Sequence, residues 1–162
     1  MADRQIEILL DLIDQAFGHP AWHGTNLKGS IKGVSVDTAS WRPAPNRHNI
    51  WELILHAAYW KYVARRRLLG EKRGSFPLKG SNFFRRPARA HDDENALKAD
   101  IALLIETHNS LRAAVAGLKG KDLVYMPPGT TTSNLALLMG IASHDLYHAG
   151  QIQLLKRLAK GP

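Results

Sequence analysis

Apolar residues recur along this chain at helical spacing in four segments, and no segment alternates apolar and polar positions as a half-buried strand does. The first segment follows Asp3, a suitable N-cap, and carries Ile6, Leu9, Leu10, Ile13 and Phe17 before Gly18 ends it. The second follows Pro43, Pro45 and Asn46. Asn49, with Glu52 three residues on, resembles a capping box, and the helix is predicted to run to about Leu69, with Gly70 as its stop. The third begins near Asp92 or Asp93, places Leu97, Ile101, Leu104, Ile105, His108, Leu111 and Val115 on one face, and stops at Gly117. The fourth opens at Thr132 or Ser133, after Pro127-Pro128-Gly129. It carries Leu135, Leu138, Ile141, Ala142, Asp145, His148, Ile152 and Leu155, with Gly161-Pro162 beyond its end.

Four amphipathic helices bury four apolar stripes most economically against one another. The expected fold is therefore all-α, a four-helix bundle with long connections between helices 1 and 2 and between helices 2 and 3. The 162 residues suit a single domain spanning 1–162. Residues 18–48 form the first connection, with a short helix expected near Asn26–Gly33. Residues 70–91 form the second. Loops of this length inside a compact domain are commonly functional, and Phe76, Phe83 and Phe84 predict that the second one packs down on the helices.

Composition narrows the chemistry. There is no cysteine, which excludes disulfides, thiolate metal sites and a cysteine nucleophile. That fits a cytoplasmic protein. The polar start Met1-Ala2-Asp3-Arg4-Gln5 has no apolar signal core, and no apolar run is long enough to span a bilayer, so a soluble protein without a membrane partner is expected. The formal charge is +8, and much of the excess lies in one stretch: Arg65, Arg66, Arg67, Lys72, Arg73, Lys79, Arg85, Arg86 and Arg89. Such a block attracts anions, or is a solvated basic surface. A nucleic-acid reading would use Arg65–Arg67 and Arg85–Arg89, with Phe83 and Phe84 as stacking platforms. No recognition-helix or RNA-binding signature accompanies them, so nucleic acid is not the expected partner.

The histidines carry the most specific signal. His144 and His148 are four residues apart, which places both imidazoles on one helix face roughly 6 Å apart along the axis. The pair adjoins the apolar stripe. A catalytic divalent site commonly uses three protein ligands and an open position. His56, among Ile54, Leu55, Ala57 and Ala58 of the second helix, is the best third candidate. His108 also lies on an apolar stripe, where a lone histidine is more often packing than ligand. Gln151 extends the face of the pair. Trp60, Tyr59, His48 and His23 are candidates to line a pocket, while His19 and His91 read as loop residues. A rival reading takes His144-Asp145-Leu146-Tyr147-His148 as the zinc-protease H-E-x-x-H pattern with Asp for Glu. Asp145 would then be the general base, although the shorter side chain changes its reach and no strand accompanies it. The other role for Asp145 is structural, through a hydrogen bond to a ring nitrogen or an arginine. Gly140 and Gly150, inside the fourth helix, suggest close approach of another helix.

Three pieces of the chain resemble the DinB/YfiT-like metal-binding proteins: Trp41-Arg42-Pro43; His48-Asn49-Ile50-Trp51-Glu52-Leu53 with His56, Ala57, Tyr59 and Trp60; and His144-Asp145-Leu146-Tyr147-His148-Ala149-Gly150-Gln151-Ile152. The resemblance covers nearly the whole chain, in order. It implies a bundle with one metal on three histidines, carried over to His56, His144 and His148. It also implies a homodimer, and either a hydrolase or a transferase of low-molecular-weight thiols. Nitrogen ligands suit Zn2+ or Ni2+, with Fe2+, Co2+ or Mn2+ as further candidates. The expected substrate is a small molecule, anionic or thiol-containing. The competing expectation is a metal- or ligand-binding protein without turnover, because no general base is evident beside the ligands.

Overall fold

The computed structural model describes residues 3–90 and 92–161; His91 lies outside them. Seven helices and no strand occur among the described residues: α1 (Arg4–Phe17), α2 (Leu27–Ile31), α3 (Val36–Ser40), α4 (Ile50–Leu69), α5 (Glu94–Ala116), α6 (Gly120–Leu123) and α7 (Asn134–Ala159). None is long and apolar enough to cross a membrane.

The ends of the long helices follow from local chemistry. Asp3 accepts from Gln5 N–H to open α1, Asp93 accepts from Asn95 and Ala96 N–H to open α5, and Ser133, not Thr132, caps α7 through Ala136 N–H. Gly70 closes α4 in the left-handed region, at φ 65°, where a side chain is strained. Asn49 accepts from Glu52 N–H at 2.8 Å, but the reciprocal half of the expected capping box does not form. The Glu52 carboxylate turns instead to Arg42, His48 and the N–H of Arg86. Burial alone would raise its pKa; these hydrogen bonds overcome that and hold it down, at about 2.

Each of the four longer helices packs on two of the others, α1 on α7 and α5, and α4 on α5 and α7. The central helix is α4, whose residues from Ile50 to Tyr59 are all buried. A helix buried on nearly every face has no polar side, which explains its nearly continuous apolar sequence. The first connection holds α2, where a short helix was expected near Asn26–Gly33, capped by Asn26, and also α3, capped by Ser35, which was not anticipated. Residues 71–90 carry no helix or strand and fold onto α4: Phe84 is buried, and Phe76 packs edge-on against Tyr59 with centroids 5.3 Å apart.

His108 is a packing residue. Its ring stacks on Phe17 at 3.6 Å, and burial pushes its pKa down to about 3 from an ordinary 6.5. Below pH 6.5 the unfolded chain therefore takes up a proton that the fold refuses. Stability is full above that pH and falls as pH drops toward 3, by up to about 1.4 kcal/mol per unit for this one group. Urea unfolding of the metal-free protein at pH 7 and pH 5 checks this. His108→Phe is expected to lessen the loss, and an unchanged loss would show that His108 does not resist protonation in the fold.

Candidate metal centre

His56 leaves the middle of α4, and His144 and His148 leave one face of α7, the helix packed against it. His144 Nε2 lies 3.0 Å from His56 Nε2 and 3.0 Å from His148 Nε2. His56 and His148 are buried, with His144 more open. Burial is the first cause that pushes all three pKa values down, to about 4 for His56 and about 3 for His144, so the rings are neutral at pH 7.

The far side of two rings is fixed. His56 Nδ1 is 2.9 Å from the carbonyl oxygen of Asn82, and His148 Nδ1 is 2.6 Å from Oε1 of Gln151. Both partners are oxygen acceptors, so Nδ1–H donates in each case and Nε2 is left as a lone pair. Two of the three converging nitrogens thus carry no hydrogen. One hydrogen on His144 Nε2 serves only one of its two contacts; the other neighbour's lone pair then faces a nitrogen that offers it no hydrogen, and with no hydrogen there both contacts are lone pair against lone pair. A cation between the rings relieves this. Ligands held at about 2.0–2.1 Å around a tetrahedral ion sit roughly 3.3 Å apart, close to the spacing seen here.

The second layer includes residues the sequence did not flag. Asn82, a non-glycine at φ 69°, presents its carbonyl to His56, and its side-chain oxygen accepts from Trp60 Nε1 at 2.9 Å. Phe83 lies flat between His56 and His48, at 4.0 and 3.7 Å. The only advance sign was that a phenylalanine-bearing connection had to pack somewhere. Lys61 was missed altogether. It is buried on α4 and ion-paired with Asp145 of α7, each side chain about 1% exposed. Asp145 is therefore structural, with Lys61 as partner in place of the ring nitrogen or arginine expected. It is turned into the interior, which removes the zinc-protease reading.

A cavity of about 440 Å3 opens beside His56 and His144, walled by Trp60, Asn82, Leu137 and Ile141. Of the expected pocket residues, Trp60 lines it. Gln151 instead orients a histidine. Tyr59 faces the other way, into Tyr62, Phe76 and Phe84. His48 is screened from His56 by Phe83 and lines a separate surface hollow with Arg42 and Glu52. His23 is exposed beside a fully exposed Trp22 and does not reach this cavity. Gly140 and Gly150 are also corrected: a Cβ at either position would meet nothing within 4 Å, so no helix of this chain presses on them.

An all-helical scaffold that gathers three buried-side histidines from two facing helices defines a class of protein compatible with a bound metal ion. Residues 21–152 match the family model of the DinB superfamily, and the chain belongs to that superfamily. No curated protein and no solved structure matches it.

Proposed function

We propose that residues 1–162 form one DinB-like four-helix-bundle domain that holds a single divalent transition metal ion on His56, His144 and His148. Zn2+ or Ni2+ fits the neutral nitrogen donors best, and Fe2+, Co2+ or Mn2+ also fits. We further propose that the protein is a metal-dependent enzyme of the hydrolase or low-molecular-weight thiol transferase type. The convergence of two hydrogen-free nitrogens on His144 Nε2 carries the reading. When bound, such an ion supplies Lewis acidity and lowers the pKa of a water or thiol, making the hydroxide or thiolate available near neutral pH.

The residues around the cluster have distinct parts. Asn82 and Gln151 orient His56 and His148 and fix their tautomers. Trp60, Leu137 and Ile141 give the cavity an apolar wall that favours an apolar portion of a small-molecule substrate. The basic stretch raises the local concentration of an anionic one.

One observation favours a second reading, metal or ligand binding without turnover. Apart from His56 and His144, no side chain lining the cavity among the described residues titrates, so none of them stands ready as a general acid or base. A screen of ester, amide and thiol-transfer substrates with metal-loaded and chelator-stripped protein separates the two. Turnover that disappears with the metal is expected; stoichiometric metal without turnover in any class would favour the binding protein.

We also propose a homodimer through α7. Leu135, Met139, Tyr147, Leu154 and Leu158 are exposed and fall on one side of that helix, where Gly140 and Gly150 leave open space for a partner helix. Light scattering should give twice the chain mass for the wild type and the chain mass for a Met139→Glu, Leu154→Glu variant. A monomeric wild type would contradict this.

A further inference from the structure

Arg42, Lys61, Arg65, Arg86 and Arg112 each pair with a carboxylate: Glu52, Asp145, Glu71, Asp100 and Asp14. Arg66, Arg73 and Lys79 have no carboxylate partner among the described residues, yet all three line one cavity of about 350 Å3. No acidic side chain among the described residues lines it. Pro77, Leu78 and the rings of Tyr59, Tyr62 and Phe76, which stand 5.3–6.1 Å apart, supply its apolar surface.

The backbone builds this cavity. Gly74 and Gly80 take φ values of 122° and 111°, which bend residues 73–81 so that Arg73 and Lys79 face a common space. Gly74 N–H donates to the Tyr62 hydroxyl at 3.2 Å, which pins the segment to α4. Arg66 Nη1 donates to the Glu71 carbonyl oxygen at 3.1 Å, while its Nε is out of solvent and has no hydrogen-bond partner among the described residues. Three like charges gathered without a counter-charge repel one another, and an anion among them removes that cost. Guanidinium groups suit the planar or tetrahedral oxygens of carboxylate and phosphate.

We infer that this cavity is a second ligand site, separate from the histidine cluster, for a small organic anion. Its phosphate or carboxylate is held by Arg66, Arg73 and Lys79, and its apolar body lies on Phe76 and the two tyrosines. The volume suits a small metabolite-sized molecule and not a polymer. Ser81 lines this cavity and the next residue, Asn82, lines the one beside the histidines.

The test is calorimetric titration of the full chain with phenyl phosphate in low-salt, phosphate-free buffer. Inorganic phosphate and benzoate run alongside distinguish a phosphate from a carboxylate ligand. Arg73 and Lys79 are exposed, so the Arg73→Gln, Lys79→Gln variant keeps the fold. The wild type should bind at least one probe with Kd below ~1 mM, and the double variant at least ~10-fold more weakly. His144→Ala should bind as the wild type does. No binding to the wild type overturns the inference. So does equal binding by the double variant, or binding lost in His144→Ala, which would place the anion at the histidine cluster.

Discussion

Lys61→Met is expected to lower the unfolding free energy by about 3–5 kcal/mol, the typical cost of stripping one partner from a buried ion pair. Lys61 and Asp145 are both out of solvent, and among the described residues the only oxygen Lys61 bonds is on Asp145. The second carboxylate oxygen of Asp145 has no partner among the described residues. Burial already raises the Asp145 pKa against the attraction of Lys61. Without the ammonium, the carboxyl must stay charged in an apolar interior or take up a proton, and either lowers stability. The Lys61 ammonium also lies 5.0 Å over the ring of Phe17, so the pair joins α4 and α7 beneath α1. The double variant Lys61→Met, Asp145→Leu should recover most of the loss, because two apolar side chains leave no charge behind. Urea unfolding of the metal-free proteins measures this cycle. A single variant within about 1 kcal/mol of wild type would mean that water reaches the pair.

His144→Ala is expected to have the largest effect on metal binding. Its Nε2 is the nitrogen within 3.0 Å of both others, and its removal leaves one ligand on each of two helices. Gln151→Ala supplies the scale. It deletes only the acceptor that orients His148, a change that commonly weakens metal affinity about 10–100-fold. Loss of His144 should exceed that and abolish stoichiometric binding. Competition titration with a chromophoric chelator ranks the three proteins. Equal affinities for Gln151→Ala and His144→Ala would show that His144 is not a ligand. Metal-free His144→Ala should remain folded, since His144 is the most open of the three rings.

What the sequence made legible depended on distance along the chain. The helices appeared because caps and periodicity are local: Asp3, Asp93, Ser133 and Gly70 each act within a turn of their own position. His144 and His148 were readable because a four-residue step on a helix is geometry in itself. His56 could be named as a candidate, but its meeting with His144 depends on how α4 packs on α7. The same limit hid Lys61. A lysine between Trp60 and Tyr62 reads as a snorkelling surface residue, although Asp145 on an apolar stripe already called for a cation across the interface. Asn82 and Phe83 were invisible for another reason. They come from a connection without periodicity, and Asn82 acts through its carbonyl, which every residue possesses. Gly140 and Gly150 misled because a helical glycine marks missing bulk without saying which neighbour, if any, uses the space.

Elemental analysis of wild type and His56→Ala, both purified without an affinity tag or added metal, tests the three-histidine centre most directly. About one transition-metal ion per chain in the wild type and none in the variant is the expected result. A wild type that stays free of metal after incubation with Zn2+ and Ni2+, or a His56→Ala variant that keeps its full complement, would contradict it.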